Sequence, residues 1–261
     1  MKSLSILRLV VVFLLALCSS ATFASDFVTV DGFKFLVDTN KDEATLLAND
    51  YSGEVVVPAS VTFEGKDYPV TTLGTECFGS SVTKVAIPNS VTTLGDKCFY
   101  KSGVKTIDIP NSVTSLGESC FESSSLEKID LPESVVELGE SCFSLCRSLQ
   151  DVILPNSLTY IPNSCFVGCD KIKKIKVPSS VKTLSRAFSS CSNLEEVDLP
   201  EGLENISGYG CFSGCTQLKT ITFPSTLKFI DGEMFNGCSN LKTIICKATK
   251  RMCFICSTSE S

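Results

Sequence analysis

One spacing recurs from Val82 onward and leaves this chain little choice of fold. It runs apolar, two residues, apolar, one residue, apolar, proline, with further apolar residues nine and twelve positions after the start and a phenylalanine near position seventeen. The first unit supplies Val82, Val85, Ile87, Pro88, Val91, Leu94 and Phe99; a later one supplies Leu149, Val152, Leu154, Pro155, Leu158, Ile161 and Phe166. Seven units of 22 to 24 residues start at Val82, Val104, Leu126, Leu149, Ile172, Leu194 and Leu218, and an eighth opens at Leu241. A degenerate unit around Val55, Val57, Pro58 and Val61 precedes them. Self-similarity at such a period marks a stack of like units, each too small to fold by itself.

The spacing also says what each unit does. Ile107 and Ile109 alternate inward, which predicts a short strand at 106–109, with counterparts at 128–131 and 196–199. Pro110 ends the strand, because it cannot donate to a ladder and fixes its own φ. The following Asn-Ser-Val-Thr-Ser-Leu-Gly turns a corner with Val113 and Leu116 inward. Glu-Ser-Cys-Phe at 118–121 is then expected as a single 3₁₀ or α turn with Phe121 as an inward wedge. One unit buries about six large side chains at ~1.5–3 kcal/mol each. Ordering its backbone costs ~1–2 kcal/mol per residue, so only stacking makes it stable. The expected fold class is an α/β solenoid, a right-handed coil with a parallel sheet on one face and short helical turns on the other.

The ends differ in texture. Lys2 and Arg8, the apolar run Leu9–Leu17 and the small-x-small site Thr22-Phe23-Ala24 read as a signal peptide over residues 1–24. Nine apolar residues fall short of the ~20 that span a bilayer. Lipid attachment at Cys18 is disfavoured by the bulky Leu17 before it. Removing Lys2 and Arg8 from 23 bases against 29 acids leaves a formal charge of −8, which argues against nucleic acid as a partner. Residues 25–70 carry hairpin signals at Asp31-Gly32 and Glu64-Gly65 and are expected to form a small β cap; 71–246 hold the repeats; 247–261 are expected as a patternless tail. No sorting motif, terminal membrane helix or prenylation box is evident there.

The units, written Leu-x-x-Ile-x-Leu-Pro-x-Ser-Val-x-x-Leu-Gly-x-x-Cys-Phe-x-x-Cys, resemble BspA-type leucine-rich repeats. Gly53–Pro58 and Tyr68–Gly74 are similar to that family's lead-in, and the resemblance covers roughly residues 27 to 246. It implies export, surface display and adhesive binding to host or microbial macromolecules, with no particular ligand.

Residue types speak against catalysis. The chain has no histidine, which removes Ser-His-Asp and Cys-His designs and most zinc hydrolase sites. No glycine-rich phosphate cradle occurs, and no cofactor or metal is implied. Asp108 and Asp130 could be paired carboxylates of a hydrolase, but a glycosidase pair needs unlike surroundings that a regular repeat does not supply. The mature cysteines fall into columns. One precedes Phe (Cys77, Cys98, Cys120, Cys142, Cys165, Cys211) and the other follows it by three (Cys146, Cys169, Cys191, Cys215, Cys238). Ala187 and Met234 substitute in the first, and Ser81, Ser102 and Ser124 in the second, which favours packing thiols over a disulfide framework. Cys253-x-x-Cys256 would need a redox context or a second ligand pair to act on a thiol or metal. Asn205-Ile206-Ser207 is a glycosylation sequon in a eukaryotic host.

Outward strand positions offer the broad surface. The expected binding face comprises Lys84, Thr106, Asp108, Lys128, Asp130, Asp151, Lys174, Lys176, Glu196, Asp198, Thr220 and Thr222. Acidic, basic and neutral zones follow one another along it, which suits a protein or glycan on a host or microbial surface. The competing reading is an exported hydrolase or a thiol protein using the tail.

Overall fold

The computed structural model describes residues 25–247 and 253–255. The signal-peptide reading of residues 1–24 and Cys256 of the CxxC lie outside them, as does the side chain of Cys253. The described chain winds as a parallel β-solenoid of about nine turns. Each full coil has three sides, through which it bonds to the coils before and after it.

Side one holds the predicted strands. They pair in parallel two at a time: Gly53–Val56 with Val82–Ala86, Lys128–Asp130 with Asp151–Ile153, Lys174–Lys176 with Glu196–Asp198, and Thr220–Phe223 with Thr243–Cys246. The ladder is interrupted between the coils starting at Val82 and Val104, Val104 and Leu126, Leu149 and Ile172, and Leu194 and Leu218. The predicted strand at 106–109 does not form. Ile107 and Ile109 are buried as expected, but this segment joins no ladder. On this side Glu127 N–H donates to the Lys105 carbonyl across the gap, and the next coil is held through the other two sides.

Side two is a second parallel ladder where the sequence suggested only a corner. Lys66–Leu73, Thr93–Leu94, Ser115–Leu116 and Glu137–Leu138 form one block. Tyr160–Ile161, Thr183–Ser185, Asn205–Ser207, Phe229–Asp231 and Cys253–Ile255 form another. Cys253–Ile255 therefore continues the solenoid, which corrects the expectation of a patternless tail. A glycine column accounts for the split. The N–H of Gly95, Gly117 and Gly139 each donates 2.7–2.8 Å to a leucine carbonyl of the coil before. The backbones approach so closely that a Cβ on Gly117 would lie 2.7 Å from Gly95 C and one on Gly139 2.4 Å from Gly117 C. In the next coil this column holds Pro162, which has no N–H to give. The ladder stops there.

Side three overturns the expected helical turns: no helix occurs among the described residues, so the solenoid is all-β and not α/β. The residue before each Cys-Phe pair is left-handed, as at Lys97, Ser119, Ser141 and Ser164 with φ of 53–59°. So is the residue two after Phe, as at Lys101, Ser123 and Leu145. A right-handed helix cannot contain such an alternation. Both left-handed N–H groups and that of the Phe between them point to the next coil: Ser119 to Glu140, Phe121 to Cys142 and Ser123 to Ser144, at 2.7–2.8 Å. These bonds offset the strain of non-glycine residues in that region.

The interior is a series of columns. Phe99, Phe121, Phe143, Phe166, Phe188 and Phe212 are all fully buried. Their rings stack in order from Phe78 to Phe235 with centroids 4.8–6.0 Å apart, most within 15° of parallel. The second cysteine column ties successive coils together. Cys146, Cys169, Cys191, Cys215 and Cys238 donate S–H to the carbonyls of Phe121, Phe143, Phe166, Phe188 and Phe212 at 2.9–3.2 Å. A small side chain with a donor is what that position needs. The serine of Pro-x-Ser likewise caps the coil before it, Ser134 Oγ donating to Val113 O and Ser180 Oγ to Leu158 O.

At the leading end, Ser25–Val30 and Phe33–Asp38 form the hairpin expected at Asp31-Gly32, and Ser60–Phe63 pairs with the following strand around Glu64-Gly65. Glu43–Leu46 joins the first hairpin to the side-two ladder.

Candidate functional site

Strand alternation on side one puts Val85, Ile129, Ile175, Val197 and Ile221 into the core and their neighbours outward. Lys84, Thr106, Asp108, Lys128, Asp130, Asp151, Lys174, Lys176, Glu196, Asp198 and Thr220 are exposed, and Thr222 is half-buried. The predicted face residues thus share one side, interspersed with the exposed Ile153.

The charge is banded by coil. Lys173, Lys174 and Lys176 make one coil basic, and Glu195, Glu196 and Asp198 make the next acidic. Across the shared ladder Lys174 Nζ reaches Glu196 at 2.6 Å, and this pairing raises the lysine's pKa. Lys84 sits 3.5 Å from Glu54.

Interruption of the ladder between the coils of Leu194 and Leu218 opens a cleft of ≈ 540 Å³ on this side. Five of the predicted residues, Lys174, Glu196, Asp198, Thr220 and Thr222, line it. Lys219, Glu195 and Lys247 join them, which strand alternation alone could not select. Asp108 and Asp130 lie outside this cleft and are both exposed, in like surroundings.

A second groove of ≈ 470 Å³ lies at the Pro162 break on side two, lined by Glu118, Glu137, Glu140, Tyr160 and Asn163 among others. Sequence reasoning does not find it. The only signal for it is Pro162, standing in a column otherwise begun by glycines.

Stacked coils of 22 to 24 residues, a column of leucines and phenylalanines inside and an exposed strand face outside define a leucine-rich-repeat protein. The chain belongs to the BspA-type leucine-rich-repeat family, whose repeat region matches in 6 copies over residues 71–187 and 184–259. It is similar to the Treponema pallidum leucine-rich-repeat protein, with 28% identity, a TM-score of 0.60 and coverage of 77% of this chain and 91% of that one. A leucine-rich-repeat protein of Bacteroides ovatus shares the fold at 21% identity and a TM-score of 0.55, covering 88% and 76%. So does the pneumococcal vaccine antigen PcpA at 19% and 0.54, covering 84% and 77%. No curated protein matches the chain.

Proposed function

We propose that this is an exported, surface-displayed binding protein that adheres through side one to a protein or glycan of host or microbial surfaces, and that it catalyses no reaction. The observation that carries this reading is the banded, exposed array with its interrupted ladder: a wide, firmly held surface with a shallow cleft suits a macromolecule better than an enclosed small ligand. Export is supported by the residues of 1–24 and by a fold relative that is a vaccine antigen. The hydrolase and thiol alternatives have no specific observation in their favour.

The double reversal Lys174→Glu, Lys176→Glu should weaken binding to immobilised host matrix or microbial surface components. Exposed pairs contribute ~0–1 kcal/mol each, so two reversals are worth up to roughly thirtyfold in Kd at low salt, shrinking as salt rises. Circular dichroism should be unchanged, since both side chains are exposed. Glu196→Gln, which removes the Lys174 partner without reversing the basic band, separates loss of that ion pair from loss of the partner. Equal affinity of wild type and double variant at every salt concentration would move the site off side one, with the Tyr160 groove next to test.

A further inference from the structure

The charge bands of side one have a symmetry that an arbitrary partner would not require. Lys174 and Lys176 of one coil are ladder partners of Glu196 and Asp198 of the next, and just before them Glu195 N–H donates to the Lys173 carbonyl, so three lysines stand beside three carboxylates. All six are exposed. Only Lys174 and Glu196 form an ion pair with each other; the remaining four make none among the described residues. A two-fold axis laid along the strands, midway between Lys174–Lys176 and Glu196–Asp198, reverses the order of coils while keeping position along the strand. It brings Lys173 over Glu195, Lys174 over Glu196 and Lys176 over Asp198 of the other copy, each twice.

The match extends outward from the axis. One coil further on each side, Gln150 meets Lys219 and Asp151 meets Thr220; a coil beyond that, Glu127, half-buried and paired with Lys105 of its own chain at 3.0 Å, meets Lys242. No position sets like charges against each other, the condition that usually defeats a face-to-face approach. An isologous interface must supply both halves of its complementarity from one surface, and side one does.

We infer that side one docks on side one of a second copy of this chain, as a two-fold dimer held by reciprocal lysine and carboxylate bands. The inference rests on side one being the binding surface and adds the identity of one occupant. Each exposed pair is weak by itself, so the dimer depends on several acting together and is sensitive to salt.

Analytical ultracentrifugation of the purified chain tests this. Raising salt from about 0.05 M to about 0.5 M, which shortens the screening length severalfold, should weaken self-association at least roughly tenfold. Lys173→Glu, Lys174→Glu, Lys176→Glu should be monomeric, and so should Glu195→Lys, Glu196→Lys, Asp198→Lys. Mixed in equal amounts, the two triple variants should form a one-to-one heterodimer, because every pair is restored with its sign exchanged. A wild type that stays monomeric at low salt, a dimer that survives either triple reversal, or variants that fail to recombine would each overturn the dimer. The surface-binding reading fails separately, if the triple variants lose self-association yet hold a matrix or microbial ligand as wild type does.

Discussion

Phe143→Ala should cost about 3–5 kcal/mol of stability, read as a fall in the urea midpoint. Phe143 is fully buried between Phe121 at 5.5 Å and Phe166 at 5.3 Å. Truncation removes both stacking partners and leaves a cavity that the backbone bonds of side three hold open. Because each coil touches only its neighbours, the lost term also weakens the coupling that lets the stack unfold as one. Val136→Ala, at an exposed position, should stay within ~0.5 kcal/mol. Phe235→Ala should fall between the two, since Phe235 is only partly buried. A Phe143 variant within about 1 kcal/mol of wild type, by the yardstick of core truncations, would mean that the ring column is not what holds the coils together.

The thiols should respond as sharply. At about pH 8 the eleven cysteines of the two repeat columns should resist iodoacetamide in the folded protein and all react once it is unfolded, as intact mass will show. All eleven are free, ten of them buried, and it is the thiolate that reacts. Burial pushes Cys146, Cys191 and Cys211 up from 9.0 to about 12. The folded state therefore keeps protons that the unfolded chain releases. The stability this contributes is complete below about pH 9 and is lost as pH rises towards about 12. Half-buried Cys238 should label first. Rapid native labelling of Cys142 or Cys169, or cross-linked columns, would remove packing as the reason for these cysteines.

What could be read from the sequence depended on periodicity longer than a turn. Phe99 to Phe212 and the inward Ile129, Ile175 and Val197 stand in columns, and they are the core. Side two is hidden because its strands are as short as two residues, too short for alternation to show; Thr93-Leu94 and Ser115-Leu116 look like any corner. Helical turns are a natural expectation because Glu, Ser and Cys around 118–120 carry no local bar to helix. Inter-coil hydrogen bonds, invisible in a single unit, override that preference. A signal does exist: Gly168, Gly214 and Gly237 share a column with Lys101, Ser123, Leu145 and Ser190, and all are left-handed. The binding face is legible as alternation, and its cleft is not, since the cleft comes from where a ladder fails to close.

The places where ladders fail obey a pattern like the joints of a brick wall. On side one the gaps fall after the coils of Val82, Val104, Leu149 and Leu194; on side two the gap falls after the coil of Leu126. At each of these boundaries the other two sides remain bonded, as where Ser141, Phe143 and Leu145 donate to Asn163, Cys165 and Val167 across the level of Pro162. Staggered joints leave no plane along which the column can shear. The molecule can tolerate local gaping, including the openings that form its clefts, without gaining a route to come apart. Native-state amide exchange should accordingly show the Tyr160 region opening by itself, without concerted release of the coils on either side; joint exchange of everything beyond Pro162 would reveal a break running right through the wall.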